Sequence, residues 1–395
     1  MVDAFRAEVR AFLEAEWDPD RYPQERGPLA GGDTVGPWHR RLQEARLVAP
    51  HYPEAYGGRG LGMAERLVVT EELVRVGAPG PGNVIGIGWA GPAILAHGTD
   101  DQKRRFLEPT LWGDVIWCQL FSEPDAGSDL AGLRTRAERD GGRWIVNGQK
   151  IWSSGAAEAD RGILIARTDP DVPKHRGLTF FLIDMHQPGI EVRPIRQMTG
   201  ESHFNEVFFT DAVVSDDDRV GEVNGGWRVV VTTLMQERIN LSAGRGLLWG
   251  GGRSFEEFWE WARAAAPRDP VERDRWTELY VRHRVIELMR TRVVAGLAAG
   301  GSPGPEAAVL KLLTDSFGQD TYEAVVDRLG PTGMLGPRDV DDEVAGWQLG
   351  FLFSQALTIG GGTTNIQKNI LGERALGLPG DIRVDTGPPR ASTSA

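Results

Sequence analysis

The chain has 395 residues, which is too long for one compact hydrophobic core and suits two or three domains. Apolar residues make up 41% and charged residues 25%, as in an ordinary globular protein. The formal net charge of −12 argues against sustained nucleic-acid binding, because phosphate contacts need a basic surface. An acidic balance still leaves room for a local basic pocket.

The sequence lacks the patterns that predict disulfides, metal sites or membrane spans. The only cysteine, Cys118, excludes an intramolecular disulfide, and its apolar surroundings, VIWCQLF, predict a buried core thiol. The seven histidines form no H-x-x-x-H pair and predict no metal site. No apolar run reaches the ~20 residues that cross a bilayer, and the N-terminus lacks a signal-peptide stretch. The sequence therefore predicts a cytoplasmic protein without membrane insertion.

Helical spacing dominates residues 1–115, which we predict as an N-terminal helical domain. Phe5, Val9 and Leu13 fall on one apolar stripe, together with Phe12. The stretch GIGWAG at 86–91 matches G-x-G-x-x-G, but neither a preceding strand nor a βαβ unit supports a dinucleotide site. We interpret these glycines as sites of close helix packing.

The pattern changes to short, β-branched and aromatic segments over residues 116–225, without long helices between them. This predicts a central antiparallel β domain, in which Asn147-Gly148 predicts a tight hairpin turn. Four long helical segments over 226–380 predict a C-terminal four-helix bundle, and 381–395 reads as a disordered tail. The predicted fold class is α+β, in the order helices, strands, helices.

Two polar stretches stand out in the β region. QLFSEPDAGSDL at 119–130 offers hydroxyls and N–H groups in one turn, which suits a flat heterocycle or a phosphate, although an ordinary capped turn explains it as well. NGQKIWSSG at 147–155 places Trp152 beside two serines. That arrangement suits a planar aromatic ligand, or equally a plain cross-strand pair.

Together these two stretches resemble the signature of acyl-CoA dehydrogenases. The similarity continues through MTGESHFNEVFFTDAVV to IGGGTTNIQKNILGERALGLP and covers about residues 1 to 380. The resemblance implies a non-covalently bound FAD and the removal of two hydrogens from an acyl-CoA thioester. A carboxylate takes the α proton, and flavin N5 accepts the β hydride.

The resemblance also implies which residues contact the cofactor. They are Phe121, Ser122, Ser128, Trp152, Ser153, Ser154, Thr363 and Asn365. Trp152 is expected against the isoalloxazine and Ser154 near N5. Ser128 is also expected at the pantetheine or phosphate end of the substrate, and Arg238 is expected to contact the substrate.

The glycine at position 361 stands where many family members carry their catalytic glutamate. Because glycine cannot take a proton, either the protein is inactive or the base comes from elsewhere. On the segment after Trp227, Glu237 interrupts an apolar stripe of Val230, Leu234 and Leu241. Burying a carboxylate there is costly unless it has a partner or a task.

A subset of the family, similar to isovaleryl- and long-chain acyl-CoA dehydrogenases, carries its glutamate in this helix directly before an arginine. Glu237-Arg238 with Gly361 fits that pattern. The resemblance thus implies that Glu237 takes the proton and that the Gly361 N–H polarises the thioester carbonyl. The alternative for Glu237 is an ion pair with an arginine of another helix.

Two departures from the family pattern concern cofactor binding. The Arg-x-x-Phe-Gly segment that contacts FAD across subunits is missing, and Pro331 replaces a glycine in DRLGPTGML. The resemblance includes bacterial α2β2 heterotetramers, so a homo-oligomer and an α2β2 assembly both stay open. It also implies an electron-transferring flavoprotein as the acceptor. The alternative functions are a non-catalytic partner subunit and a dehydrogenase of carrier-protein-bound thioesters.

Overall fold

The computed structural model describes residues 2–22, 35–243, 253–298, 304 and 306–380. Within these residues, five α-helices precede the sheet: α1 Val2–Glu16, α2 Pro37–Glu44, α3 Met63–Arg75, α4 Gly91–His97 and α5 Asp100–Trp112. In α1, Phe5, Val9 and Leu13 are buried as predicted, whereas Phe12 is half-buried at the edge of the stripe. Helix α5 begins with a capping box between Thr99 and Gln102.

Eight strands follow in the described part of the chain and form one sheet. They are β1 Trp117–Leu120, β2 Arg136–Asp140, β3 Arg143–Ser154, β4 Arg161–Arg167, β5 Leu178–Asp184, β6 Ile190–Ile195, β7 Phe204–Ser215 and β8 Arg219–Val220. The order across the sheet is β6-β7-β3-β2-β4-β5-β8, and β1 pairs with β4. The pairing is antiparallel as predicted, except that β1 and β2 run parallel to β4.

Helices return after the sheet, which confirms the predicted α+β class with its order of helices, strands and helices. They are α6 Gly226–Ala243, α7 Phe255–Ala265, α8 Pro270–Ala298, α9 Glu306–Leu329, α10 Asp342–Ser354 and α11 Thr364–Ile370. The predicted tail at 381–395 lies outside the described residues. The domain boundaries at 115 and 225 stay predictions.

The chain folds into two compact units, each with its own core. The first contains α1, α3, α7 to α11 and the end of α6, around an aromatic core that includes Phe258, Trp276 and Trp347. The second contains α2, α4, α5, the sheet and the start of α6. Its core includes Cys118, which is fully buried as predicted, and burial raises the pKa of its thiol.

The GIGWAG stretch forms a π-helical turn at Gly86–Ala90 that continues into α4. A Cβ atom added at Gly91 would lie 2.0 Å from the Tyr52 hydroxyl, and one added at Gly86 would lie 2.5 Å from Asn83 Oδ1. Both distances are far below van der Waals contact. These glycines therefore allow close packing, but their neighbours are Tyr52 and Asn83 of the connecting segments and not a second helix.

The predicted hairpin turn at Asn147-Gly148 is wrong. Both residues lie inside β3, opposite a register shift with β7. Asn147 Nδ2 donates to Asp211 Oδ1 at 2.9 Å, and its Oδ1 accepts the Asp211 N–H at 3.0 Å, so the side chain replaces ladder bonds that the irregularity interrupts. The pair marks a β-bulge, which uses the same residue types as a tight turn.

A buried ion pair fixes the loop after β1 to strand β3. The Lys150 side chain is fully buried, and its Nζ donates to Glu123 Oε1 at 2.8 Å and to the Phe121 carbonyl at 2.9 Å. The Glu123 carboxylate also accepts the N–H groups of Arg134 and Thr135, at 2.6 and 2.9 Å. Every charge in this contact therefore has hydrogen-bond partners.

Burial lowers the pKa of the Lys150 amine. Burial also acts to raise the pKa of Glu123, but the Lys150 charge and the N–H donors outweigh it, so this pKa lies below its usual value. The short contact between the two groups and their further hydrogen bonds offset the cost of burying them. Removing one partner would leave the other as a buried unpaired charge.

Three arginines converge on Glu72, whose side chain is 2% exposed, and join α1 to α3. Arg10 Nε lies 2.9 Å, Arg6 Nη1 2.8 Å and Arg75 Nε 2.6 Å from its carboxylate oxygens. The Arg10 hydrogen bond, with those of Arg6 and Arg75, lowers the pKa of Glu72 from 4.5 to about 2. This carboxylate therefore stabilises the fold mainly as a charged group.

Replacing Glu72 by glutamine is expected to lower the free energy of unfolding near neutral pH by about 1–3 kcal/mol, because charge-assisted hydrogen bonds are lost. Since the pKa is lowered on folding, the stabilisation is complete above pH 4.5 and disappears as the pH falls through about 2. Urea unfolding across this range should show the difference from wild type shrinking. Glu71→Gln is the control, because the Glu71 pair with Arg6 is more exposed. A difference that is constant down to about pH 2 would contradict the account.

Lys150→Met is expected to destabilise the protein by about 3–5 kcal/mol, because it leaves the Glu123 carboxylate buried without its counter-charge. Lys368→Met removes an exposed lysine and should change the unfolding free energy by less than about 0.5 kcal/mol. Chemical unfolding of both variants measures the two values. Equal stabilities would show that the buried pair does not hold the loop.

Candidate active site

Trp152 is held in an unusual backbone conformation near the end of β3. Its φ is +61°, a region that costs a bulky residue about 1–2 kcal/mol, and its side chain is 56% exposed. The pairing register between β3 and β7 shifts between Lys150 and Ser153, so a bulge turns the indole out of the sheet. The Phe204 ring meets it edge-on, with the ring centroids 6.1 Å apart. Such retained strain is typical of functional sites.

The two serines after Trp152 differ in exposure. Ser153 is fully buried, and its hydroxyl has no hydrogen-bond partner among the described residues. Its carbonyl accepts Asn205 Nδ2 at 3.0 Å, which stabilises the irregular pairing. Ser154 is half-buried. The roles of Ser153 and Ser154 as cofactor contacts stay predictions.

The loop after β1 carries three more of the predicted residues. Phe121 is buried, with its ring edge-on to Phe180, and Ser122 is half-buried. The Ser122 carbonyl accepts the Ile151 N–H at 2.9 Å, so this loop lies directly beside the strand that carries Trp152. Ser128 is exposed on the same loop.

The groups that the second unit brings together suit a planar heteroaromatic ligand with polar edges. A largely exposed indole supplies an apolar face, and the half-buried hydroxyls of Ser122 and Ser154 supply donors and acceptors beside it. The unpartnered Ser153 hydroxyl is a buried polar group without a protein contact in the described chain. This set fits the ring system of a flavin.

The glycine run of the first unit adopts a conformation that favours glycine. Gly361 and Gly362 have φ values of +67° and +93°. Within the described part of the chain, the Gly361 N–H makes no hydrogen bond, whereas its carbonyl accepts Gln367 Nε2 at 3.0 Å. Thr363 caps α11, because its hydroxyl accepts the Ile366 N–H at 3.3 Å, and Asn365 is exposed.

Glu237 and Arg238 lie within the backbone of α6, but their side chains lie outside the described residues. On the same helix Val230 is fully buried and Leu234 is half-buried, as the predicted stripe requires. The role of Glu237 therefore stays a prediction. Pro331 lies in the turn Gly330–Met334.

Three residues with clear structural roles were missed in the sequence. Lys150 holds the loop to β3, Asn205 supports the bulge, and Gln367 holds the glycine run. Lys150 could have been found, since it continues the inward alternation of Trp144 and Val146 along β3. Asn205 and Gln367 left no comparable signal.

The described chain offers neither a membrane-spanning helix nor a cluster of metal ligands. No helix there combines the length and the apolar character that crossing a bilayer requires. The same residues include no group of three or more side chains arranged to hold a metal ion.

Three family models match the chain in sequence. They are the acyl-CoA dehydrogenase N-terminal domain at residues 2–114, its middle domain at 118–212 and its C-terminal domain at 224–376. The acyl-CoA dehydrogenase FadE34 of Mycobacterium tuberculosis is 43% identical over 339 residues, which are 86% of this chain and 45% of FadE34. The acyl-CoA dehydrogenase IpdE1 of the same organism is 38% identical over 393 residues, which are 97% of this chain and 99% of IpdE1. The chain thus spans less than half of FadE34 and nearly all of IpdE1.

Solved structures match over the same extent. A protein described as the Tcur3481-Tcur3483 steroid ACAD superimposes with a TM-score of 0.80 and 28% identity, over 96% of this chain and 98% of that one. The ChsE4-ChsE5 complex from Mycobacterium tuberculosis gives a TM-score of 0.74 at 28% identity, with the same coverage. By sequence and by fold, the chain belongs to the acyl-CoA dehydrogenase family of flavoprotein oxidoreductases.

Proposed function

We propose that this chain oxidises an acyl-CoA thioester between its α and β carbons, with Glu237 as the base that takes the α proton. FAD is the proposed cofactor, and when bound it supplies the hydride acceptor. The conformation of Gly361 is the observation that carries the proposal. The chain's own residues take the proton, orient the thioester and exclude water.

Gly361 suits a backbone donor better than a catalytic side chain. An L-residue in its left-handed conformation would cost about 1–2 kcal/mol, so the position favours glycine. Its N–H is unpaired in the described chain and is therefore available to a thioester oxygen. A fixed N–H that meets developing negative charge on that oxygen lowers the barrier to proton removal.

Glu237 is the acid that we assign to proton removal. It follows the buried Val230 and the half-buried Leu234 along α6, and a carboxylate on an apolar stripe needs a task or a partner. A positioned carboxylate typically accelerates such a step by about 10²–10⁴-fold. Arg238, the next residue, is assigned to the substrate as the family resemblance implies, and it does not pair with Glu237, because neighbouring residues of a helix point in different directions.

Residues of the second unit are assigned to the cofactor. Trp152 offers its exposed face to the isoalloxazine, and Ser154 offers its hydroxyl near N5. Phe121, Ser122, Ser128 and Ser153 complete the proposed set on this unit. The family resemblance adds Thr363 and Asn365 as proposed cofactor contacts. The Lys150–Glu123 pair fixes the loop that carries Ser122 against the strand that carries Trp152.

Similarity to proteins described as a steroid ACAD and as a two-protein complex supports a bulky thioester substrate and a heteromeric assembly. We therefore propose an α2β2 arrangement ahead of a homo-oligomer, and an electron-transferring flavoprotein as acceptor. A non-catalytic partner subunit is not favoured, because relatives of nearly full length are described as acyl-CoA dehydrogenases.

Anaerobic titration with acyl-CoA thioesters, from short chains to steroid side-chain thioesters, is expected to bleach the flavin of the wild-type protein. Glu237→Gln keeps the shape of the side chain and should lower the bleaching rate by about 10²–10⁴-fold, because the base is lost. Glu222→Gln alters an exposed acid just before α6 and should retain the parent rate. If Glu237→Gln bleached as fast as Glu222→Gln, Glu237 would not be the base.

Trp152→Gly is expected to weaken FAD binding by at least about tenfold, because the aromatic face is lost. The same variant should change the stability of the FAD-free protein by less than about 1 kcal/mol, since glycine accepts the left-handed backbone. Trp152→Phe keeps a ring and should retain most of the affinity. Fluorescence titration with FAD and chemical unfolding measure the two quantities, and unchanged FAD affinity in Trp152→Gly would exclude this contact.

A further inference from the structure

Gln367 is buried against the glycine run. Its side chain is 1% exposed, and its Nε2 donates to the Gly361 carbonyl at 3.0 Å. A Cβ atom added at Gly362 would lie 2.7 Å from the same nitrogen. The amide therefore occupies the space that any side chain at 362 would need.

The run is also held upstream. The Gly360 N–H donates to the Ala356 carbonyl at 2.9 Å, and the Leu357 carbonyl accepts Lys311 Nζ at 2.8 Å. With Gln367 on the Gly361 carbonyl, the peptide groups on both sides of the Gly361 N–H are held, while that N–H makes no bond in the described chain. Because the backbone dihedral angles of glycine rotate easily, these contacts decide where the Gly361 N–H points.

We propose that Gln367 is the positioning residue that orients the Gly361 N–H toward the thioester carbonyl. This role rests on the proposed function, because it requires Gly361 to act as the donor. Gln367 touches no reacting atom in this scheme and acts through one backbone carbonyl.

The hydrogen bonding of the Gln367 side-chain amide supports a role beyond filling space. The Gln367 Oε1 atom is buried and has no hydrogen-bond partner among the described residues. A buried unpaired oxygen is costly, and a methionine of similar shape would avoid that cost. The observed hydrogen bond of the Nε2 group is what the amide contributes in return.

The test compares Gln367→Met and Gln367→Glu with the same changes at Gln355, an exposed residue that follows α10. The probe is the 2-enoyl-CoA product of the fastest thioester in the panel, labelled with ¹³C at its carbonyl. Isotope-edited infrared spectroscopy reports how strongly the bound carbonyl is polarised. Turnover rates with an artificial electron acceptor, which reoxidises the flavin, at saturating and limiting thioester separate kcat from KM.

In Gln367→Met we expect the carbonyl stretch to lose most of its downward shift, and kcat to fall by about tenfold or more with KM changed less than about threefold. Gln367→Glu should recover both signals as the pH is lowered, because only the protonated acid can donate to the Gly361 carbonyl. A general structural role would not produce this rescue. The Gln355 variants should behave as wild type.

Suppose that thioesters bleach the wild-type flavin, so that the proposed function holds. An unchanged carbonyl shift and an unchanged kcat in Gln367→Met would then overturn the role of Gln367. A Gln367→Glu variant without the acid rescue would overturn it as well. If Gln367→Met does not fold, Gln367→Asn replaces it, since its amide stops one carbon short of the carbonyl. A wild type that no thioester bleaches would instead overturn the proposed function, and the role of Gln367 with it.

Discussion

The ion pair between Lys150 and Glu123 is the constraint on which the sheet unit's candidate site depends. One buried ammonium binds both the carboxylate and the Phe121 carbonyl, so the loop after β1 cannot move independently of β3. Two residues further along, β3 turns Trp152 outward in a strained conformation. Strain of this size persists only where surrounding contacts determine the backbone, and the ion pair is one of these contacts.

The glycine run is proposed to contribute a backbone N–H group, and not a side chain, to the reaction. A carboxylate at position 361 would require an unfavourable conformation, whereas glycine leaves an N–H unpaired and lets the carbonyl pair with Gln367. In the proposed scheme two tasks that one residue serves in many family members are separated: proton removal is assigned to a side chain and carbonyl polarisation to the backbone. Electrostatic preorganisation of this kind costs no rearrangement during the reaction.

Much of this could be predicted from the sequence, for physical reasons. Apolar periodicity locates α1, and β-branched runs locate the strands, because burial dictates both patterns. The hairpin turn predicted at Asn147-Gly148 was wrong because turns and bulges both favour residues that tolerate unusual backbone angles. Gln367 could not be found, since its hydrogen bond depends on how the chain bends through two glycines. The strain at Trp152 is likewise invisible until the register with β7 is known.

We assign removal of the α proton to a side chain of α6 and not to the glycine run. Deuterium uptake at the α carbon tests this claim directly, because it reports proton removal without any later step. A thioester incubated in D2O with the oxidised protein, and analysed by mass spectrometry, should exchange its α proton with wild type and not with Glu237→Gln. Equal exchange with both proteins would contradict the account.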